Sequence, residues 1–504
     1  MESKEFKKVN LPEISMSRVS HQSIVPGHIP LVAMGNIEDE AGEISLKHFS
    51  LIQECGLNVF IRSLHDHNII RKYLESAEKT GVKVIAGYGF RAPNISKFSY
   101  NPPTEEAMLT LQEIVPQYPG WVSKIMTWKI QLEKLFEYCE NRVLAGNPNL
   151  LDNFAGFLLQ DEPKASQMWR LVYQGNEFEK KFISHGIGQM PIFTSTLLPD
   201  LTTGVSSKNA IKACDLYSGG LNTAINYLTG YSKINNYNDY VNLYDSMFNP
   251  PFIAFDAYPF REDKNQQKSS MRSFFNSLIY FQSRKAENGK DFWSTVLTQE
   301  ITDKLGNHYS APTIGRIRFG AFISLLYGAT GLQFFRFFQE EDNNDESYNA
   351  APVNSYGIKT QTFNYLKTVV QQIKKIEGII LSTKIALTAV TKVPPLADLT
   401  EIPGIKKMGK YNFGVIKKIS EETSGFILSH MYNSKYNYIF VVSMNEVKVQ
   451  TSRFEFQQIE DVEIYENIGS ILDEGWCPVS DQSIKNGRYI SFAPSDMVIF
   501  RYPR

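Results

Sequence analysis

From about residue 29 onward, short apolar runs alternate with stretches whose apolar positions recur at helical spacing. IPLVAMGN (29–36) reads as a buried strand, and ISLKHFSLIQECG (44–56) as a helix with Ser45 as its N-cap and Gly56 as its stop. LNVFIRSL (57–64) is β-branched and aromatic, hence a strand, and NIIRKYLESAEKTG (68–81) is a helix closed by Gly81. VKVIAGYGF (82–90) makes a third strand, and a long helical stretch over 104–143 leads to a fourth, FAGFLLQDEP (154–163). PIFTST (191–196) and FIAFDAYPF (252–260) follow as strands, separated by an excursion over 200–250 rich in Tyr, Asn and Gly. DFWSTVLTQE (291–300) is a seventh strand, residues 311–331 a helix ending in glycine, and LQFFRFF (332–338) an eighth strand. A last helix runs over 359–377.

Strands that are apolar throughout, each followed by a crossover, belong in a parallel sheet covered on its faces. Eight such repeats favour a closed (β/α)8 TIM barrel over an open doubly wound sheet. No GxGxxG follows the first strand, which weakens a dinucleotide-binding alternative further. After residue 383 the pattern changes. GFILSHMY, YNYIFVVSM, VQTSRFEFQ and DMVIFRYP are strand-like, with turn residues between them and little helical periodicity. The expected organisation is an N-terminal extension (1–28), an α/β barrel (29–382) and a small antiparallel β-sandwich (383–504).

Length and charge narrow the function classes. At 504 residues two domains are the default, and a formal net charge of −1 gives no bias toward nucleic acid or an anionic membrane. The four cysteines, Cys55, Cys139, Cys214 and Cys477, lie far apart and form no CxxC pair, which argues against a zinc site or a disulfide framework. The first residues carry no apolar signal region and no stretch has the length of a membrane span. Localisation therefore stays open between cytoplasmic, if the chain is full-length, and periplasmic or secreted, if a signal has been removed. Aromatic residues make up 13%, with 33 Phe and 26 Tyr, which suits both a large core and sugar stacking.

In a barrel the chemistry sits at the C-terminal ends of the strands. That rule selects Asn36, Glu38 and Asp39 from the first strand, Arg62, His65, Asp66 and His67 from the second, and Tyr88 and Arg91 from the third. Asp161 and Glu162 come from the fourth, Asp256 and Tyr258 from the sixth, Trp293, Gln299 and Glu300 from the seventh, and Arg336, Glu340 and Glu341 from the eighth. Carboxylates and aromatics dominate this set, so carboxylate chemistry is favoured over metal or serine chemistry. His65-Asp66-His67 is the one metal-like triplet, but a hydrolytic zinc site needs further ligands from later strands, and those end in Thr194-Ser195-Thr196 and Asp256-Ala257-Tyr258. No metal and no cofactor is expected.

The sharpest motif is Gln160-Asp161-Glu162-Pro163, where proline ends the strand and leaves an acidic pair at the barrel mouth. Either the pair caps the following helix, whose first turn favours acids, or it does chemistry. Here the chain resembles the clan A glycoside hydrolases, whose general acid/base is a glutamate at the end of the fourth strand. More closely it resembles a set of bacterial barrel proteins with the pattern G-[YF]-x-L-x-D-E-P, matched by Gly156–Pro163. Three further blocks agree in barrel order: Asp256-Ala257-Tyr258-Pro259, Trp293 through Gln299, and Pro312-Thr313 with Tyr327-Gly328-Ala329-Thr330-Gly331. The resemblance covers roughly residues 29–380 and extends into the β-domain.

What the resemblance implies is a glycosidase acting on a carbohydrate, with Glu162 as general acid/base and a glutamate nucleophile ending the seventh strand. At that nucleophile position stands Gln299, with Glu300 beside it. Because side chains alternate along a strand, only one of the two faces the barrel axis; Glu300, Asp256 and Glu340 are the candidate second carboxylates. Asp161 beside Glu162 is a like charge that raises a neighbouring carboxyl. Tyr88, Phe90, Tyr258 and Trp293 are candidates to stack on sugar rings, Arg62, Arg91 and Arg336 to recognise an acidic sugar, and His65 to bind a sugar hydroxyl. The rival from another class is a glycan-binding protein on the same scaffold without catalysis, favoured by glutamine at the nucleophile position. A metal-dependent hydrolase is the third.

Overall fold

A computed structural model describes residues 24–35, 42–63, 67–87, 119–185, 192–197, 234–303, 306, 308–340, 342, 346–392, 405–410, 413–420 and 424–504. Eight parallel strands form a closed barrel. They are β1 (Leu31–Met34), β2 (Val59–Ser63), β3 (Lys83–Gly87), β4 (Phe154–Asp161), β5 (Ile192–Leu197), β6 (Phe252–Asp256), β7 (Asp291–Leu297) and β10 (Gly331–Phe335). Each is flanked in the ring by its neighbours in this order, and β10 closes it beside β1 with Leu31 opposite Leu332. Burial along β1, β3, β6, β7 and β10 is nearly continuous, as strands covered on both faces require.

The crossovers are helical: α1 (Gly42–Cys55), α2 (His67–Thr80), α3 (Pro119–Leu144), α4 (Ala165–Ser184), α5 (Tyr237–Phe248), α6 (Lys264–Asn288), α7 (Ile314–Leu326) and, after β10, α8 (Gln361–Ser382). Ser45, expected as an N-cap, lies inside α1. The excursion over 200–250 contains α5. Its buried residues Tyr237, Tyr240, Tyr244 and Phe248 fall at helical spacing, but tyrosine does not announce itself as apolar in a pattern of hydrophobic positions. Asn236 caps its start, accepting from the Asp239 backbone N–H, and Asn249 in the left-handed region ends it.

By contact the chain falls into two compact units. One holds the described residues of Asp39–Phe49 and Phe60–Ala254, the other those of Val25–Glu38, Ser50–Val59 and Phe255–Arg504. In the first, Phe49, Phe60 and Tyr73 pack ring on ring between α1, β2 and α2, with centroids 5.4–5.9 Å apart. In the second, β1 is pinned from both sides. The Glu377 carboxylate of α8 accepts from the Ile29 backbone N–H at 2.5 Å and lies 2.9 Å from His28 Nδ1. Asn58 accepts from the Leu31 backbone N–H at 2.8 Å and donates to the Ile29 carbonyl at 2.9 Å.

The C-terminal strands form two antiparallel sheets. The larger has six strands in the order β12 (Lys384–Val390), β14 (Phe426–Tyr432), β15 (Tyr436–Ser443), β20 (Met497–Pro503), β17 (Glu463–Tyr465) and β18 (Trp476–Pro478). The smaller has β13 (Ile416–Ser420), β16 (Gln450–Phe456) and β19 (Arg488–Phe492). Phe426, Leu428, Ile439, Val441, Phe454 and Phe500 lie at the centre of their shared core. The four strands expected from sequence are there; β12, β13, β17, β18 and β19 add to them.

This β-domain is tied to α7 and α8 by buried polar groups. Arg318 of α7 donates to Gln372 of α8 at 3.0 Å and to the Pro494 carbonyl at 3.2 Å, while Gln372 donates to Asp496 at 3.2 Å. The hydroxyls of Thr388 and Ser429 both donate to the Leu326 carbonyl, at 3.0 and 3.1 Å. The approach is closest at Gly315, where a β-carbon would stand 2.0 Å from the Glu446 carbonyl oxygen; glycine alone fits there.

Candidate active site

The end of β4 is built by a proline and a left-handed turn. Asp161 is the last strand residue, opposite Thr196 of β5. Glu162 follows with φ +45°, uncommon for a residue bearing a β-carbon, and donates its backbone N–H to the Thr196 carbonyl at 2.8 Å. Pro163 has no N–H to continue the ladder, and its carbonyl accepts from the buried Tyr240 hydroxyl at 2.7 Å. The Glu162 backbone is thus clamped between β5 and the Pro163 turn, with its side chain exposed. Because α4 starts only at Ala165 and has no acid in its first turn, the acidic pair lies ahead of the helix. Outlying backbone geometry of this kind concentrates at functional positions. The Asp161 side chain lies outside the described residues.

At the end of β2, Arg62 donates to the Tyr73 hydroxyl and its guanidinium carbon lies 5.3 Å from that ring's centroid, so it serves the α2 interface. His67 opens α2 and is engaged with Gln131 of α3, its Nδ1 2.6 Å from the amide oxygen. His65, Asp66, Asn36, Glu38, Asp39, Tyr88, Phe90, Arg91 and Glu341 lie outside the described residues. Among the described residues no three of His, Cys, Asp and Glu are grouped to hold a metal ion.

In the other unit the ends of β6, β7 and β10 converge. The Thr295 hydroxyl lies 3.0 Å from both the Phe255 carbonyl and the Gln333 side-chain oxygen, joining three strands inside the barrel. Asp256 ends β6 with one carboxylate oxygen fully buried. Two residues on, the half-buried Tyr258 ring stacks on Phe335, centroids 5.9 Å apart and planes 20° apart, and meets Tyr309 edge-on at 5.6 Å. The Phe335–Arg336 peptide is cis. Arg336 forms an ion pair with Glu340, and its guanidinium carbon lies 4.7 Å from the Phe335 ring centroid.

The seventh strand differs from the sequence expectation. β7 stops at Leu297, not at residue 300. Thr298 then donates its N–H to the Phe335 carbonyl at 2.7 Å and its hydroxyl to the Arg336 carbonyl at 3.0 Å. Gln299 is fully buried, and neither atom of its amide has a hydrogen-bond partner among the described residues. Glu300 begins a separate strand, β8 (Glu300–Asp303), in a three-stranded antiparallel sheet with β9 (His308–Tyr309) and β11 (Glu346–Asn349). Its carboxylate accepts from His308 Nε2 at 2.6 Å. In the same sheet Tyr348 donates to Glu346, and burial first, then that bond, pushes the phenol up. Arg261 lies 3.2 Å from the Tyr309 ring centroid, and burial pulls its guanidinium down.

Trp293 corrects a second expectation. It lies near the start of β7, opposite Gly331, with no exposed surface. A β-carbon on Gly331 would stand 2.6 Å from its indole, so the ring fills the space that glycine leaves, deep in the packing and away from the strand's C-terminal end. The residues that sequence reasoning missed here are Thr298, His308, Tyr309 and Arg261. His308 and Tyr309 form a strand of two residues, too short for periodicity to register, and Thr298 and Arg261 lie outside the named strands.

No protein-family model matches the chain, and no curated protein matches it in sequence. Solved structures do resemble its architecture. The cold-adapted β-galactosidase of Rahnella sp. R3 is 10% identical with TM-score 0.46, over 95% of this chain and 98% of that one. The β-galactosidase of Bacillus circulans sp. alkalophilus is 9% identical with TM-score 0.44, over 94% and 99%. A glycoside hydrolase family 30 subfamily 8 xylanase of Clostridium acetobutylicum is 10% identical with TM-score 0.38, over 95% and 96%.

Proposed function

We propose that the chain is a glycoside hydrolase in which Glu162 is the general acid/base. The observation that carries this is the clamp on its backbone: a left-handed residue directly after β4, held by the Thr196 carbonyl and followed by a buried proline. A carboxyl that must deliver a proton to a leaving oxygen needs such fixed placement. Tyr258 and Arg336 are the sugar-contacting groups in this proposal, the Tyr258 ring offering an apolar face, whereas Gln299 is fully buried.

The second carboxylate is assigned to Asp256. An amide at Gln299 forms no stable glycosyl ester, and Glu300 is held by His308. A carboxylate that activates water rather than attacking carbon gives inversion. Glu162→Gln is expected to lower turnover of a natural glycoside on the order of 10²–10⁴-fold, and less with an activated aryl leaving group that needs little protonation. Proton NMR of the first-formed product should show the inverted anomer, and a fluorosugar should leave no adduct. Equal loss on both substrates would sink the role of Glu162, and retention with an adduct would sink that of Asp256.

Glutamine at position 299, where a nucleophile is expected, also favours a glycan-binding protein without catalysis. A broad glycoside panel showing saturable binding and no hydrolysis would select that alternative.

A further inference from the structure

Beside Tyr258 the structure holds a partly open cavity of about 20 Å³ between the segment after β6, the last residues of β7 and the first turns of α7. Its walls are mostly apolar, among them Phe260, Phe274, Val296 and Pro312. Four lining residues carry polar side chains: Tyr258, Thr295, whose hydroxyl is engaged by the Phe255 carbonyl and the Gln333 side chain, Ser310 and Arg316. Ser310 is 3% exposed, and its hydroxyl has no hydrogen-bond partner among the described residues. The Nε–H of Arg316 is likewise buried and unpartnered there, although Nη1 donates to the Ala311 carbonyl at 2.8 Å. Among the described residues no carboxylate stands within ion-pair distance of Arg316, and no carboxylate or amide side chain lines the cavity. Arg316 also lies in the first turn of α7, whose aligned peptides place partial positive charge at that end.

We propose that this cavity is a binding site for a single monoatomic anion, chloride in ordinary salt, held by Ser310 Oγ and Arg316 Nε. Size and polarity favour one small occupant. The space of about 20 Å³ suits a single small sphere better than phosphate, sulfate or a carboxylate. A water here accepts from Arg316 and meets one more partner in Ser310, leaving hydrogens to point at phenyl, prolyl and valyl walls. A halide accepts from both donors, has no hydrogen to place, and supplies the charge that the guanidinium lacks. The ion braces the Tyr258–Phe260 segment from behind, because Tyr258, Pro259 and Phe260 all line the cavity.

The test is thermal unfolding of the full chain in a chloride titration, with ionic strength held constant by gluconate, which is too bulky to enter. The expected result is a saturable rise in Tm on the order of 1–3 °C. Bromide should reproduce it, and a bromide-soaked crystal should give an anomalous peak within hydrogen-bond distance of both side chains. Ser310→Ala should abolish the rise. It should also be at least as stable as wild type in gluconate, since it removes a buried hydroxyl that lacks a partner. Arg316→Gln should be equally unresponsive to chloride. A chloride response that persists in Ser310→Ala, the absence of any response in wild type, or a bromide-soaked crystal without a peak in the cavity would overturn the proposal.

Discussion

The Glu300 carboxylate of β8 accepts a hydrogen bond from His308 Nε2 of the paired strand β9 at 2.6 Å. The pair commits Glu300 to holding β8 against β9. Glu300→Gln is therefore expected to lower Tm and to reduce turnover by less than about tenfold, far below the effect of Glu162→Gln. Peptide mapping after treatment with a fluorosugar should find no label on Glu300. A labelled Glu300 would return it to the reacting centre.

Trp293 packs against Gly331 with no exposed surface, so its truncation is a stability change. Trp293→Ala should cost about 3–5 kcal/mol in denaturant unfolding, whatever glycan is present. A variant with wild-type stability but weakened glycan binding would contradict this.

Asp473 lies in the loop between β17 and β18 and is wrapped by donors. Its carboxylate accepts from the backbone N–H groups of Gly469 at 2.8 Å and Gly475 at 3.1 Å and from the Tyr465 hydroxyl at 3.1 Å. Burial pushes this carboxyl up, but the two N–H groups, the phenol and Lys375 outweigh it, and the carboxyl titrates below its ordinary range. A lowered native pKa means stability that is fully present above the unfolded value of about 4 and lost as pH falls through the native one. Asp473→Asn should remove that acid-side slope, and Asp473→Ala should cost about 1–3 kcal/mol at neutral pH. Both are read from urea midpoints measured across pH.

Glu377 satisfies the Ile29 N–H at the entry to β1, a donor buried in the barrel's base. Glu377→Ala should lower stability by about 1–3 kcal/mol, the cost of an orphaned buried amide. Amide hydrogen exchange at Ile29 should accelerate in step, and an unchanged rate would show that another acceptor has taken over.

The barrel is legible in the sequence because its strands are mostly apolar and lack the helical spacing of its helices; β1, β3 and β6 lie within the runs that predict them, and β10 starts one residue before its run. Where side chains alternate less clearly the reading slips. The run through Trp293 carries polar Thr298 and Gln299 directly after Leu297 with no turn residue between, and only pairing with residues far along the chain shows where β7 stops. The β8–β9–β11 sheet depends on Glu300 meeting Asn349, a non-local match that no window of the sequence contains. Of the site, the turn after β4 was legible from Pro163, since proline ends a ladder wherever it falls. The burial of Gln299 was not, because glutamine carries no pattern that distinguishes a covered amide from a solvated one.

The place of β20 in its sheet sets the timing of biosynthesis. Met497–Pro503 lies between β15 and β17, in the interior of the six-stranded sheet rather than at its edge. While the ribosome is still upstream of these codons, β15 has an open flank, and β17, paired with β18 on its outer side, has no partner on its inner side. Asp496, which takes up the Gln372 amide of α8 and faces Arg318, is equally absent from the nascent chain. The unit containing β7, β10, α7 and α8 must therefore wait, exposed to chaperones and to proteases, until its last strand has left the exit tunnel.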